Sequence, residues 1–166
     1  MEVILVLHNI RSCYNVGSIL RTAEGFGLKK VILSGYTPRP HDENLLPHLR
    51  EKIDKEIHKT ALGAEDLIKI IPMDDVKTEI LKARTEGVTI VGLENNIKAR
   101  LCQLNDPRLK EKLGEKIILI LGEEVGGIDP ELHNLINTFL EIPMRGKKES
   151  FNVSVATGVA LYGLLY

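Results

Sequence analysis

Five short runs rich in valine, isoleucine and leucine set the fold class of this chain: residues 3–7 (VILVL), 30–34 (KVILS), 89–93 (TIVGL), 116–121 (KIILIL) and 139–142 (FLEI). They scarcely alternate between apolar and polar side chains, which suits strands covered on both faces, as in a parallel sheet. Amphipathic segments fall between them, so the pattern predicts an α/β architecture with a mostly parallel sheet flanked by helices. With 166 residues, 43% hydrophobic and 27% charged, the chain reads as one soluble globular domain over residues 1–166. A core of that size needs no disulfide or metal to hold it.

Helix signals fit between the runs. The first helix is expected to open at Asn15, a good N-cap residue, and to stop at Gly27, a good C′ residue. Ile19, Leu20, Ala23 and Phe26 form its apolar stripe. A second helix opens at Asp129-Pro130 and runs through His133. The last begins near residues 150–152, and its Ser154, Ala156, Gly158, Ala160 and Gly163 suit close packing against another element. From Tyr36 to Glu86 the pattern weakens: residues 37–42 (TPRPHD) read as loop, and Gly63 and Pro72 as breaks.

Several functions are excluded or disfavoured. The net charge of −1 provides no global positive field, so any nucleic-acid contact must rest on a local patch. Cys13 and Cys102 form no CxxC pair and read as thiols in a reducing compartment. Met1-Glu2 and five apolar residues do not make a signal peptide, and no stretch reaches the ~20 apolar residues of a membrane span. A cytoplasmic location is expected. There is no phosphate-cradling GxxxxGK[ST], no GxGxxG after a strand, and no GxSxG around Ser150. The five histidines show no metal-ligand spacing, and no metal is expected.

Three loops at strand ends carry the remaining polar chemistry. The first, residues 8–17 (HNIRSCYNVG), is followed by Arg21 on the helix; the second is 122–129 (GEEVGGID); the third is 143–152 (PMRGKKESFN). Ligands of open α/β sheets sit outside the carboxyl ends of the strands, so these loops together suggest one site. Each also has a plainer account. Asn15, Ser150 and Asn152 suit helix caps, Gly126-Gly127 a tight turn, and Arg21 a solvated helix face, so spacing alone leaves both readings open.

The motifs carry a resemblance that decides between them. Asn15-Val16-Gly17-Ser18-Ile19-Leu20-Arg21-Thr22-Ala23 with Gly25-Phe26-Gly27 resembles the first motif of the SpoU (TrmH-like) RNA 2′-O-methyltransferases of the SPOUT superfamily. Ile118-Leu119-Ile120-Leu121-Gly122-Glu123-Glu124 with Gly126-Gly127-Ile128 resembles their second. Ile142-Pro143-Met144, Gly146 and Glu149-Ser150-Phe151-Asn152-Val153-Ser154-Val155-Ala156, through Leu161-Tyr162, resembles their third. Order and spacing agree, and the resemblance spans nearly the whole chain. Glu123 departs from it, standing where the family usually has Asn, as does Val125; Glu124 keeps the acidic residue of the motif.

The resemblance implies an α/β knot fold with a C-terminal deep trefoil knot, and S-adenosylmethionine as cofactor. It implies cofactor contacts from Leu93, Gly122, Ile142, Met144, Ser150 and Phe151. A glycine at 122 would let the backbone approach the cofactor, so Gly122→Val is expected to block binding without unfolding the chain. The implied reaction is methyl transfer to a ribose 2′-hydroxyl of tRNA or rRNA. Arg21 serves it as base or phosphate clamp, Asn15 and Asn152 orient, and Glu124 and Ser150 support. Arg11, Arg145, Lys147 and Lys148 lie in the same loops and are candidate RNA phosphate contacts, each alone equally explained as a solvated charge. The family implies a homodimer with the active site at the subunit interface, the small-residue face of the last helix meeting the partner. The alternative is a knotted dimer that binds RNA or S-adenosylmethionine without catalysis.

Overall fold

The computed structural model describes residues 1–95, 97 and 101–166. The strands are β1 (Glu2–His8), β2 (Lys30–Ser34), β3 (Lys69–Met73), β4 (Thr89–Leu93), β5 (Leu101–Gln103), β6 (Lys116–Leu121) and β7 (Thr138–Glu141). The helices are α1 (Cys13–Gly25), α2 (Pro47–Ala61), α3 (Ala64–Leu67), α4 (Val76–Thr85), α5 (Leu109–Leu113), α6 (Pro130–His133) and α7 (Val153–Leu165). The seven strands form one sheet of order β3-β2-β1-β6-β4-β7-β5. Every pairing in it is parallel.

The unbroken apolar runs are the two-faced strands they were expected to be. Successive side chains of a strand point to opposite faces. Val3, Leu5 and Leu7 of β1 therefore join Leu119 and Leu121 of β6 on one face, under Val16, Ile19 and Leu20 of α1 and Leu161 and Leu164 of α7. Ile4 and Val6 join Ile118 and Ile120 on the other, under Val76 and Ile80 of α4 and Leu132 of α6.

Strand β3 and helices α2 and α4 lie within residues 36–86, where the sequence pattern was weak, and β5 was not predicted. Pro72 sits inside β3, an edge strand, where a missing N–H does not break the sheet. The three-residue β5 is the opposite edge. Helix α2 buries only Ile57 and Ala61, too few to mark a stripe. The last predicted strand is displaced by one residue, to Thr138–Glu141. Among the described residues no helix is long and apolar enough to cross a membrane.

Because all strands run the same way, the ends of β1, β6, β4 and β7 lie side by side and deliver three polar loops to one edge of the sheet. Helix α1 begins earlier than expected. Ser12, not Asn15, is the N-cap, its side chain accepting from the Asn15 N–H at 3.3 Å. This frees the Asn15 side chain for contacts elsewhere. Gly27 follows α1 with φ +73°, as a C′ glycine should. Helix α6 opens at Asp129 and α7 at Asn152, as the sequence indicated.

Candidate active site

The three loops are tied together by one chain of hydrogen bonds. The Asn15 side-chain amide donates to Glu124 Oε1 at 2.8 Å, and the Arg11 and Ser12 N–H groups donate to the same carboxylate at 3.2 and 3.3 Å. Asn152 Nδ2 donates to Asn15 Oδ1 at 3.3 Å. The other end of the Asn152 side chain caps α7, accepting from the Ser154 N–H at 2.9 Å and the Ser154 hydroxyl at 2.7 Å. Asn152 is thus both cap and cross-link, the two accounts that the sequence left open.

Partial burial pushes the Glu124 carboxyl up, but the hydrogen bonds from Asn15, Arg11 and Ser12 outweigh it and leave its pKa below the usual value. A depressed carboxylate contributes stability above its unfolded pKa of about 4.3 and loses it as pH falls through the folded value. The stability gap between wild type and Glu124→Ala, on the order of 1 kcal/mol near neutrality, should therefore shrink below about pH 4. Urea unfolding of both proteins from pH 3 to 7 measures this; a gap that widens in acid would contradict it.

Beside this link lies a cavity of about 360 Å³, within the range of small-molecule sites. Leu93, Gly122, Ile142, Ser150 and Phe151 line it, as do Glu124 and Asn152; Met144 does not. The lining is markedly acidic. Glu94, Glu123, Glu124 and Glu149 all border it, and no lysine, arginine or histidine does among the described residues.

Besides Glu124, two of these carboxylates are tied down. Glu94 accepts from the Ile128 N–H at 3.0 Å, and Glu123 pairs with Arg11 at 2.5 Å. Glu123, the departure from the family pattern, therefore joins the first loop to the second. It also engages the charge of Arg11, one of the candidate phosphate contacts. Arg145, Lys147 and Lys148 remain exposed on the third loop.

Gly122 needs a different account from the one expected. A Cβ there would fall 2.3 Å from the Gly127 carbonyl and the Ile128 nitrogen, so the second loop folds back directly against it. That loop is closed by reciprocal backbone bonds between Glu123 and Gly127 at 2.9 Å. A side chain at 122 displaces the protein's own turn before it meets any ligand. Gly122→Val thus does not isolate cofactor binding. Even Gly122→Ala should destabilise the fold by about 1–3 kcal/mol, measurable by thermal unfolding. An alanine variant as stable as wild type would show that the turn yields freely.

One positioning residue escaped the sequence reading. Asn95 Oδ1 accepts from the Ile142 N–H at 3.1 Å, while its Nδ2 donates to the Ile142 carbonyl at 3.1 Å and to the Glu149 carbonyl at 3.0 Å. It clamps the two ends of the third loop together. An asparagine after a strand was the sole signal available, and it is shared with ordinary turns.

Arg21 stands apart. It lies on α1 six residues, or roughly 9 Å of helix rise, beyond Asn15, and does not line the cavity. It is exposed, and its side chain makes no hydrogen bond or ion pair among the described residues.

Residues 2–162 match the model of the SpoU rRNA Methylase family. The chain belongs to this family. Among SpoU relatives, it is 30% identical over 159 residues to the 23S rRNA (guanosine-2′-O-)-methyltransferase RlmB of Xylella fastidiosa, covering 96% of this chain and 56% of that protein. It is 29% identical to the protein of the same name from Coxiella burnetii, with the same coverage. The chain thus spans just over half the length of these curated relatives. An AdoMet-bound rRNA methyltransferase from Sinorhizobium meliloti superposes with TM-score 0.77 at 25% identity, over 98% of this chain and 55% of that one. The TrmH/SpoU tRNA modifying enzyme of A. aeolicus shares the fold, with TM-score 0.76 at 21% identity over 98% and 73% of the two chains.

Proposed function

We propose that this chain is an S-adenosylmethionine-dependent methyltransferase acting on a ribose 2′-hydroxyl of tRNA or rRNA. The observation that carries this reading is the acidic, partly apolar cavity at the ends of β6, β4 and β7, braced by the Glu124–Asn15–Asn152 link. The lining suits the cofactor. Leu93, Ile142 and Phe151 offer apolar surface to an adenine, and the carboxylates favour a sulfonium cation. When bound, that cofactor supplies an electrophilic methyl group.

The residues of the chain then have two tasks. Asn15 and Asn152 hold the ribose in line, with Glu124 and Ser150 fixing the loops around it. Arg21 clamps a substrate phosphate and stabilises negative charge developing on the 2′-oxygen. A delocalised cation is better suited to that role than to removing a proton, and the 2′-hydroxyl proton passes to a phosphate oxygen or water as the methyl leaves the sulfonium sulfur. Arg145, Lys147 and Lys148 supply further phosphate contacts. The reading covers residues 1–166 as one domain with the family's C-terminal trefoil knot, working in the cytoplasm.

Among the described residues the cavity has no cation of its own to meet a phosphate, and a second copy of the chain supplies one in this reading. Val155, Val159, Tyr162 and Tyr166 line one face of α7 and are exposed, with Tyr166 6.2 Å from Phe26 of α1. Such a stripe marks an interface. Two of the small residues of α7 are already engaged inside the chain, so the exposed stripe is the surface offered to a partner. Gly158 already faces Thr22, and Gly163 faces Leu104, within the same chain. Arg21, next to Thr22, lies beside the exposed stripe, where it can enter the partner's cavity.

The deciding experiment is transfer of labelled methyl from S-adenosylmethionine to bulk tRNA and rRNA, with mapping of the protected 2′-hydroxyl. Cofactor binding without transfer to any RNA would favour the non-catalytic alternative.

A further inference from the structure

The proposed substrate has to reach an acidic cavity on a protein of net charge −1, so the approach to the site must be favourable locally. On the third loop the exposed lysines and arginine provide one side of that approach. Helix α1, which carries Asn15, and helix α2 packed on it hold further exposed cations. Thr60 near the end of α2 donates to the Tyr14 carbonyl at 2.9 Å, which lays α2 across the first turn of α1. Tyr14 immediately precedes Asn15, the residue bonded to Glu124.

The Tyr14 side chain has no part in the core. It is 46% exposed, with Lys59 Nζ 5.8 Å from its ring centroid and 3.5 Å from its hydroxyl. Lys52, two turns earlier on the same face of α2, is exposed and makes no ion pair among the described residues. Lys55 between them is taken up by Glu51 at 2.7 Å. An exposed aromatic ring with one ammonium group against it and a second two turns along the same helix, beside the proposed RNA site, has the makings of a stacking platform for an unpaired base. Every base has a π-face, and the lysines meet the adjoining phosphates. A paired base in a duplex offers no face to stack on.

We propose that Tyr14, with Lys59 and Lys52, binds an unpaired nucleotide flanking the target ribose, so that the substrate is single-stranded or looped RNA at this position. The proposal rests on the methyltransferase reading for its ligand but is tested separately from it. The probes are a mixed-sequence 12-nucleotide single-stranded RNA and the same strand in a duplex, followed by fluorescence anisotropy on the full chain, with S-adenosylmethionine affinity measured by calorimetry.

The single strand should bind at least about tenfold more tightly than the duplex. Tyr14→Ala should lose about tenfold in single-strand affinity, and Tyr14→Phe should retain it, since the ring survives. Lys52→Gln with Lys59→Gln should flatten the salt dependence of log K by roughly one. Cofactor affinity should not move in any of these variants. Thr60 bonds the Tyr14 backbone and not its side chain, so side-chain changes leave that contact intact. Equal affinity for duplex and single strand, or Tyr14→Ala binding as well as Tyr14→Phe, overturns the proposal. Wild type that binds no S-adenosylmethionine overturns the methyltransferase reading instead, and leaves the RNA result to stand or fall alone.

Discussion

Replacing Arg21 by alanine should lower methyl transfer by about 10²–10³-fold while leaving S-adenosylmethionine affinity within about twofold of wild type. The size follows from removing a charged donor aimed at developing negative charge, the usual cost of losing an oxyanion contact. The unchanged affinity follows from position, because Arg21 does not line the cavity and makes no contact that holds it together. Being exposed on α1, it can be truncated without opening the core. Single-turnover rates and calorimetry on the same preparation separate the two effects. Near wild-type turnover in the alanine variant would remove Arg21 from the chemistry altogether. A fall in cofactor affinity equal to the fall in rate would instead place it in the pocket.

Two inactive variants should restore each other when combined. Ser150→Trp fills the cavity from an exposed loop, where the backbone tolerates a large side chain, and leaves Arg21 in place. Arg21→Ala leaves the cavity in place. In a mixed dimer with Arg21 serving the partner's site, one cavity receives an intact arginine and the other has neither part. Random pairing makes about half the dimers mixed, each with one working site, so activity should recover to about a quarter of wild type. If Arg21 serves its own chain, no site is complete and the mixture stays inactive. Silence from a verified mixed dimer would refute the shared site, and a monomer in sedimentation would refute the interface on α7.

The strands of the interior were legible because burial on both faces leaves a run of branched apolar residues with no competing explanation. β1, β2, β4 and β6 lie where those runs are, within a residue at either end. The edges were not legible. β3 tolerates Pro72, and β5 is three residues long, because an edge strand answers to one neighbour instead of two. The site was legible as three loops but not as a network. Asn15, Glu124 and Asn152 are separated by 109 and 137 residues in the chain, and no local pattern reports a hydrogen bond across such distances. Local capping rules misassigned Asn15, because Ser12 competes for the same role and the winner depends on what the loser can reach. Gly122 lines the cavity, but the return of the Gly127 backbone against it was not legible, because no local pattern reports how a loop folds back.

The long separations in the Glu124–Asn15–Asn152 link bear on how the protein reaches its native state. Closing loops of more than a hundred residues carries a loop-closure entropy. The β1–β6 pairing and the packing of α7 on α1 close the same loops and bear that entropy, and the side-chain bonds of the link can form only once those elements have met. A nascent chain therefore has its sheet before it has its cavity. A small molecule held by the loops after β6 and β7 discriminates between the finished protein and every partly folded form, and stabilises the finished one by about 2.7 kcal/mol at a hundredfold excess over Kd. The cofactor of such a protein doubles as a selective brace on its maturation, and cellular supply of that molecule becomes a determinant of how much folded protein accumulates.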